Sequence, residues 1–159
     1  MKLSAKGNKC IYNRNSYNRN YNGNDYGSEP YVVDIQRATL QNPNFRTAIW
    51  TGSHLQVTLM CIPVGGEIGL EVHPHVDQFL CIQDGCGCVM MGGSDTRLNY
   101  QSNVHSGSAV CVPAGTWHNI VNTGRCPIKL FSIYAPPQHP RGTIHRTKAE
   151  SDAAEAKHH

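Results

Sequence analysis

The stretch Gly65-Gly-Glu-Ile-Gly-Leu-Glu71-Val-His73-Pro-His75-Val-Asp-Gln78-Phe-Leu-Cys-Ile-Gln-Asp-Gly85 holds a carboxylate, two imidazoles and an amide within eight residues, 71–78. Glycines fence it on both sides, and strand-like apolar runs flank it. Residues two apart on a strand share a face. Glu71, His73 and, in the same series, His75 are therefore expected to point one way. A turn at Pro74 opens a second series, Gln78, Leu80 and Ile82. Nitrogen and oxygen donors converging on a rigid wall are what a divalent metal ion requires.

Further along the chain lies a second cluster, Gly107-(x5)-Pro113-Ala-Gly115-Thr-Trp-His118-(x3)-Asn122. The Pro-x-Gly turn reverses one strand and presents His118 at the start of the next. Around the two clusters the chain reads as short strands separated by turn signals. Strands are expected at 31–35, 45–51, 55–62, 86–91, within 100–108, at 108–112 (buried), 118–121 and 128–134. One helical turn is expected at 36–41, stopped before Pro43, and a terminal helix at 149–157. Along 55–62, Gln56, Thr58 and Met60 share one face and are candidates to line a pocket. Eight to ten short strands argue for a sandwich or closed barrel.

The chain has 159 residues, enough for one domain with a proper core. Hydrophobic residues make up 39% and charged residues only 16%, with 15 Gly and 9 Pro, a balance that suits a turn-rich all-β protein. The net charge of +3 is confined to residues 1–29; residues 30–159 carry nine cations and nine anions. No basic face remains to follow phosphates, which argues against a nucleic-acid partner. No apolar run approaches the roughly 20 residues needed to cross a membrane, and no signal peptide opens the chain, so a cytoplasmic location is expected. Seven cysteines, an odd number, are expected to be mostly buried thiols. Cys86-Gly-Cys88 lacks the second pair that a zinc-thiolate site needs.

Residues 1–29 are rich in Asn and in regularly spaced Tyr and poor in aliphatic residues, the composition of a disordered tail. The expected division is this tail, a barrel with a covering segment over 30–148, and a terminal helix or tail over 149–159.

The two clusters together resemble the cupin superfamily, whose motifs are G-x5-H-x-H-x3/4-E-x6-G and G-x5-P-x-G-x2-H-x3-N. The second is matched at every fixed position. The first is matched in spacing through Gly65, Glu71, His73, Gln78 and Gly85, with Glu71 standing where the family has its first His and Gln78 where it has Glu. An alternative register pairs His73 with His75, but then puts Phe79 or Leu80 at the carboxylate position. The resemblance covers about residues 50–135 and is nearest to small bacterial cupins described as mannose-6-phosphate-isomerase-like. It implies an all-β double-stranded β-helix, a jelly-roll barrel.

It also implies a divalent metal ion (Fe, Mn or Zn) held by Glu71, His73, Gln78 and His118. That set keeps one carboxylate among neutral donors. Glu71, His75 or His139 would then move a proton. Gln56, Thr58, Met60 and Arg141 would line the pocket, with the proline-rich segment 134–145 capping the barrel mouth and aiming His139 or Arg141 inward. A small-molecule ligand and a homodimer are expected, the latter through an edge strand at 31–35. Three functions fit: a metal-dependent isomerase or epimerase on a sugar-like substrate, a mononuclear non-haem iron oxygenase, or a non-enzymatic binding protein of a spore coat, the last suggested by the Asn/Tyr-rich tail.

Overall fold

The computed structural model describes residues 24–157; residues 1–23, with the expectations made for them, and His158-His159 lie outside the described residues. Nine strands and two helices follow in the order α1 (Ile35–Gln41), β1 (Arg46–Thr51), β2 (Gln56–Ile62), β3 (Asp77–Asp84), β4 (Cys86–Gly92), β5 (Tyr100–His105), β6 (Ala109–Val112), β7 (Trp117–Asn122), β8 (Ile128–Ala135), β9 (Ile144–His145) and α2 (Lys148–Ala156). They form a six-stranded antiparallel sheet, β6-β3-β8-β2-β1-β9, facing a three-stranded sheet, β5-β4-β7. This is the jelly roll expected from the motifs.

Strand alternation places the core between the sheets. Met60, Ile62, Leu80, Ile82, Ile128 and Leu130 of the large sheet pack on Val89, Val104 and Ile120 of the small one. The outer face of the large sheet is covered in part by α1, through Ala38 against Ile49 and Leu59. That cover is why β1 is buried on both faces over its first four residues.

Three expectations are corrected. Residues 31–34 form no strand: the Asp34 side chain accepts from the Arg37 amide at 3.0 Å and caps α1 instead. The edge on which a strand-exchanged dimer was to rest is therefore absent there. The strand at 108–112 is an edge rather than a fully buried element, with Val110 and Val112 inward and Ala109 and Cys111 exposed. The cysteines are not buried thiols: Cys61, Cys81 and Cys88 are half-buried, Cys86 and Cys111 exposed, and Cys126 is disulfide-bonded. On β3, β4 and β6, Cys81, Cys88 and Cys111 alternate with the buried inner-face residues Leu80, Ile82, Val89, Val110 and Val112.

Among the described residues no helix is long and apolar enough to cross a membrane.

Candidate metal centre

Residues 66–73 run antiparallel beside β7 and extend the small sheet. The Ile68 amide donates to Ile120 O (3.0 Å), the Glu71 amide to His118 O (3.0 Å) and the His118 amide to Glu71 O (2.9 Å). Glu71 and His118 thereby face each other as a bridge pair. The turn after β6 completes the link: Gly115, at φ +78°, donates its amide to His73 O at 2.8 Å. A left-handed turn residue is a position glycine tolerates without a Cβ clash. The two motifs are thus stitched together by backbone, and their side chains meet inside the barrel. Two asparagines hold the frame. Asn122 donates from Nδ2 toward the carbonyls of Ile62, Pro63 and Cys126 and accepts from the Gly124 amide. Asn119 donates to Glu67 and accepts from the Gly69 amide.

Glu71, His73 and His118 each offer one atom, all within 4.8 Å of one another. His73 Nε2 and His118 Nε2 both stand 3.3 Å from the same oxygen, Glu71 Oε1. All three atoms are buried and none has a hydrogen-bond partner. Buried polar atoms are normally paired, so three orphans aimed at one point mark a place for an ion. The spacing fits: with metal–donor bonds of about 2.1 Å, adjacent donors stand about 3.0 to 3.4 Å apart in octahedral or tetrahedral geometry. His118 Nδ1 lies 2.9 Å from Thr116 O. A carbonyl only accepts, so Nδ1 carries the proton and Nε2 presents its lone pair inward. Burial acts on Glu71 to raise its pKa, but His118 and His73 outweigh it and hold the carboxyl well below the usual range. The group is an anion ready for a cation.

Gln78 sits on the inner face of β3. Its Nε2 donates to Ser132 Oγ at 3.0 Å, and its Oε1 is buried without a partner. The amide is therefore turned so that an acceptor, the atom type a metal takes, is left unpaired. The alternative register finds no support in the geometry: His75 is exposed on the turn after Pro74, outside the Glu71/His73/His118 group.

The pocket residues divide. Thr58 and Met60 are fully buried on the inner face of β2. Gln56 is buried too but is fully engaged. It donates to Thr51 Oγ1 and His139 O, and its Oε1 accepts from the Gln138 and His139 amides. It pins the segment that follows β8 rather than lining open space. That segment brings His139 edge-on to Tyr134, ring centroids 5.0 Å apart, and Tyr134 in turn meets His73 at 5.8 Å. Burial, with the nearby Arg46 charge, pushes the His139 pKa down to about 2, so its ring stays neutral. Arg141 does not point inward: it is exposed and lines an outer cleft with Asp25 and Tyr26. Gly142 beside it turns at φ +75°, its amide bonded to Asp25, which carries the chain away from the barrel mouth.

Sequence reasoning missed Arg46, Tyr134 and Ser132. Strand parity puts Arg46 on one face with Ala48, but only the register against Met60 and Thr58 makes that face the inner one.

The comparisons agree with this fold. The chain is 63% identical over 131 residues to the protein YrkC of Bacillus subtilis (strain 168), covering 82% of this chain and 70% of that one. It is 34% identical over 132 residues to the protein L612 of Acanthamoeba polyphaga mimivirus, covering 82% and 80%. The crystal structure of BH2720 from Bacillus halodurans is similar with a TM-score of 0.81 and 56% identity, covering 82% of this chain and 98% of that one. The family model of the cupin domain matches residues 58–134. With the motif spacing, the jelly roll and these relatives in agreement, the chain belongs to the cupin family.

Proposed function

We propose that the protein is a metal-dependent cupin enzyme that binds one divalent ion, Fe, Mn or Zn, through Glu71, His73 and His118, with Gln78 Oε1 as a further oxygen donor, and isomerises or epimerises a small polar molecule. One observation carries the reading: two imidazole nitrogens lie 3.3 Å from one carboxylate oxygen, all buried and all unpaired.

When bound, such an ion supplies Lewis acidity toward an oxygen of the substrate. The remaining work falls to the chain. Glu71 provides the single negative charge of the ligand set. Thr116 O fixes the His118 tautomer, and Ser132 fixes the Gln78 amide. Burial raises the Tyr134 pKa, so its hydroxyl keeps its proton and is available to donate. His75 is exposed on the turn and lies outside this group. His139 is neutral and half-buried, with its Nε2 buried, and accepts a proton only from a strongly acidic group. Gln56 holds the segment that carries His139 against Tyr134.

A second reading, a mononuclear iron oxygenase, draws on the same donors: two imidazoles and one carboxylate form a facial triad without Gln78. Oxygen uptake only after Fe(II) loading separates the two.

Metal analysis of the native protein beside Glu71→Ala and His118→Ala tests the site. The expected result is about one equivalent in the native protein and under about a tenth in either variant, with the fold retained by circular dichroism. A native protein that holds no metal and takes up none of Mn(II), Fe(II) or Zn(II) overturns the reading.

A further inference from the structure

Arg46 is a cation buried on the inner face of the barrel that neither motif contains. Arg46 opens β1 on the inner face, opposite Met60 of β2 and His145 of β9, and is 1% exposed. Its Nη1 donates to Ser151 Oγ on α2. The nearest carboxylate, Glu155, stands 3.7 Å away and is itself 45% exposed, so water screens it. The Nε of Arg46 is buried with no partner. A guanidinium that is this deeply buried is normally matched by an anion and by bonds to each edge of its fork.

The surroundings repeat the pattern. Thr58 Oγ1 and His139 Nε2 are buried without partners, and Tyr134 OH lies against Arg46 and Ser132 with no well-formed bond to either. Arg46 starts beside Met60, at the apolar row, and its guanidinium reaches the Tyr134 hydroxyl, which its proximity affects. Ring contacts run from His139 to Tyr134, from Tyr134 to His73 and from His73 to His118. The Tyr134 ring therefore adjoins the metal centre, and the His139 ring adjoins Tyr134.

Charge decides what belongs there. With neutral imidazoles, Glu71 and Arg46 cancel. A divalent ion then leaves this closed, low-dielectric end with an uncompensated double positive charge, which is costly unless an anion joins it. Nη1 is already engaged by Ser151, so the fork has its Nε edge to offer, a match for a planar two-oxygen group.

We infer that Arg46 and Tyr134, with His139 beside them, form a carboxylate-binding subsite, and that the ligand of the metal centre is a small carboxylate bridging the ion and Arg46. The inference rests on the metal-dependent reading above and names the ligand class for it. Anion and metal then bind with reciprocal coupling: each tightens the other by the same factor.

Titration calorimetry on the Mn(II)-loaded full chain with acetate, malonate and succinate, and with inorganic phosphate for comparison, tests this. At least one carboxylate is expected to bind, and at least about tenfold more weakly to the metal-free protein or to Arg46→Lys, which keeps the charge but loses the fork. Tyr134→Phe, which removes only a hydroxyl, is expected to weaken binding by about five- to tenfold. The same carboxylate at saturation should raise Mn(II) affinity by the factor by which Mn(II) raises its own. Mn(II)-loaded protein that binds none of the carboxylates, that prefers phosphate, or whose carboxylate affinity is unchanged in both variants overturns the inference. Mn(II) binding is measured in the same preparations. Its absence removes the metal-dependent reading and this inference together; its presence without carboxylate binding removes only the inference.

Discussion

The two ends of the barrel interior are built by the same three strands and are equally buried, yet they differ in kind. Strand β2 gives Gln56 and Thr58 to one end and Met60 and Ile62 to the other. Strand β8 gives Tyr134 and Ser132, then Leu130 and Ile128. Strand β3 gives Gln78, then Leu80 and Ile82. All are between 0% and 3% exposed. The apolar end is a continuous packed cluster. The other end leaves Thr58 Oγ1, Gln78 Oε1 and Tyr134 OH, together with the atoms of the metal centre, without partners. Burial alone does not tell a core from a site. The difference lies in whether each buried group has its partner within the chain, because an unmatched polar group costs about 1–3 kcal/mol. One end of the barrel supplies stability, and the other gives some of it up in a form that a ligand can restore.

The largest expected effect is at the apolar end. Leu130→Ala should lower unfolding free energy by about 2–5 kcal/mol in denaturant titration, through lost contact and a residual cavity. Metal content of the folded fraction should be unchanged. Asn122→Ala sharpens the comparison, since Asn122 is polar, buried and fully paired. It should lose about 1–3 kcal/mol by the same measurement, behaving like the apolar end and not like Thr58. A loss near zero would mean that pairing is not what separates the two ends.

Acid provides a third test, confined to the polar end. The folded pKa of His139 lies at about 2, below the ordinary imidazole value of 6.5. Between those values the unfolded chain binds a proton that the folded chain does not. Stability is therefore full above about pH 6.5 and falls as pH drops, by up to about 1.4 kcal/mol per pH unit from this group. Glu71, depressed below its ordinary 4.5, adds a loss of the same sign at lower pH. Thermal midpoints of the metal-free protein from pH 7 to 5 should show this slope, and His139→Phe should flatten it. The smallest effect is Thr58→Val, which removes an unpaired hydroxyl at nearly constant volume. In the metal-free protein it should raise stability by up to about 1 kcal/mol. A loss matching that of Leu130→Ala would break the comparison.

Much of the fold was legible because strand periodicity and turn chemistry are local. The helical turn at 36–41 and the strands at 45–51, 55–62 and 128–134 appear within a residue or so of their expected bounds. The failures had local causes too. Asp34 offered a helix cap to a stretch that composition alone reads as strand. The apparent burial of 108–112 ignored that an edge strand shows one face to water. At the site, motif spacing was enough to pick out Glu71, His73 and His118, because the distances between Gly65, Gly85, Pro113 and Gly115 set which residues the turns present. Arg141 was misplaced because a proline-rich segment has no periodicity from which to read direction.

Local pattern along the chain was enough for the frame: a jelly roll, two motifs in order, and Glu71, His73 and His118 at the positions those motifs reserve. Spacing along one strand dictates which face a side chain takes, and that needs no knowledge of the partner strand. It took the packed fold to bring the donors to one oxygen, to leave His75 outside, to turn the Gln78 amide on Ser132 and to bury Arg46 on β1, between β2 and β9. Those outcomes depend on the register of strands distant in sequence, β1 against β2 and β9, and β3 against β8. An arginine at position 46 has no local pattern to mark it. It acquires meaning only when Met60, His145 and Ser151, up to 105 residues away, enclose it.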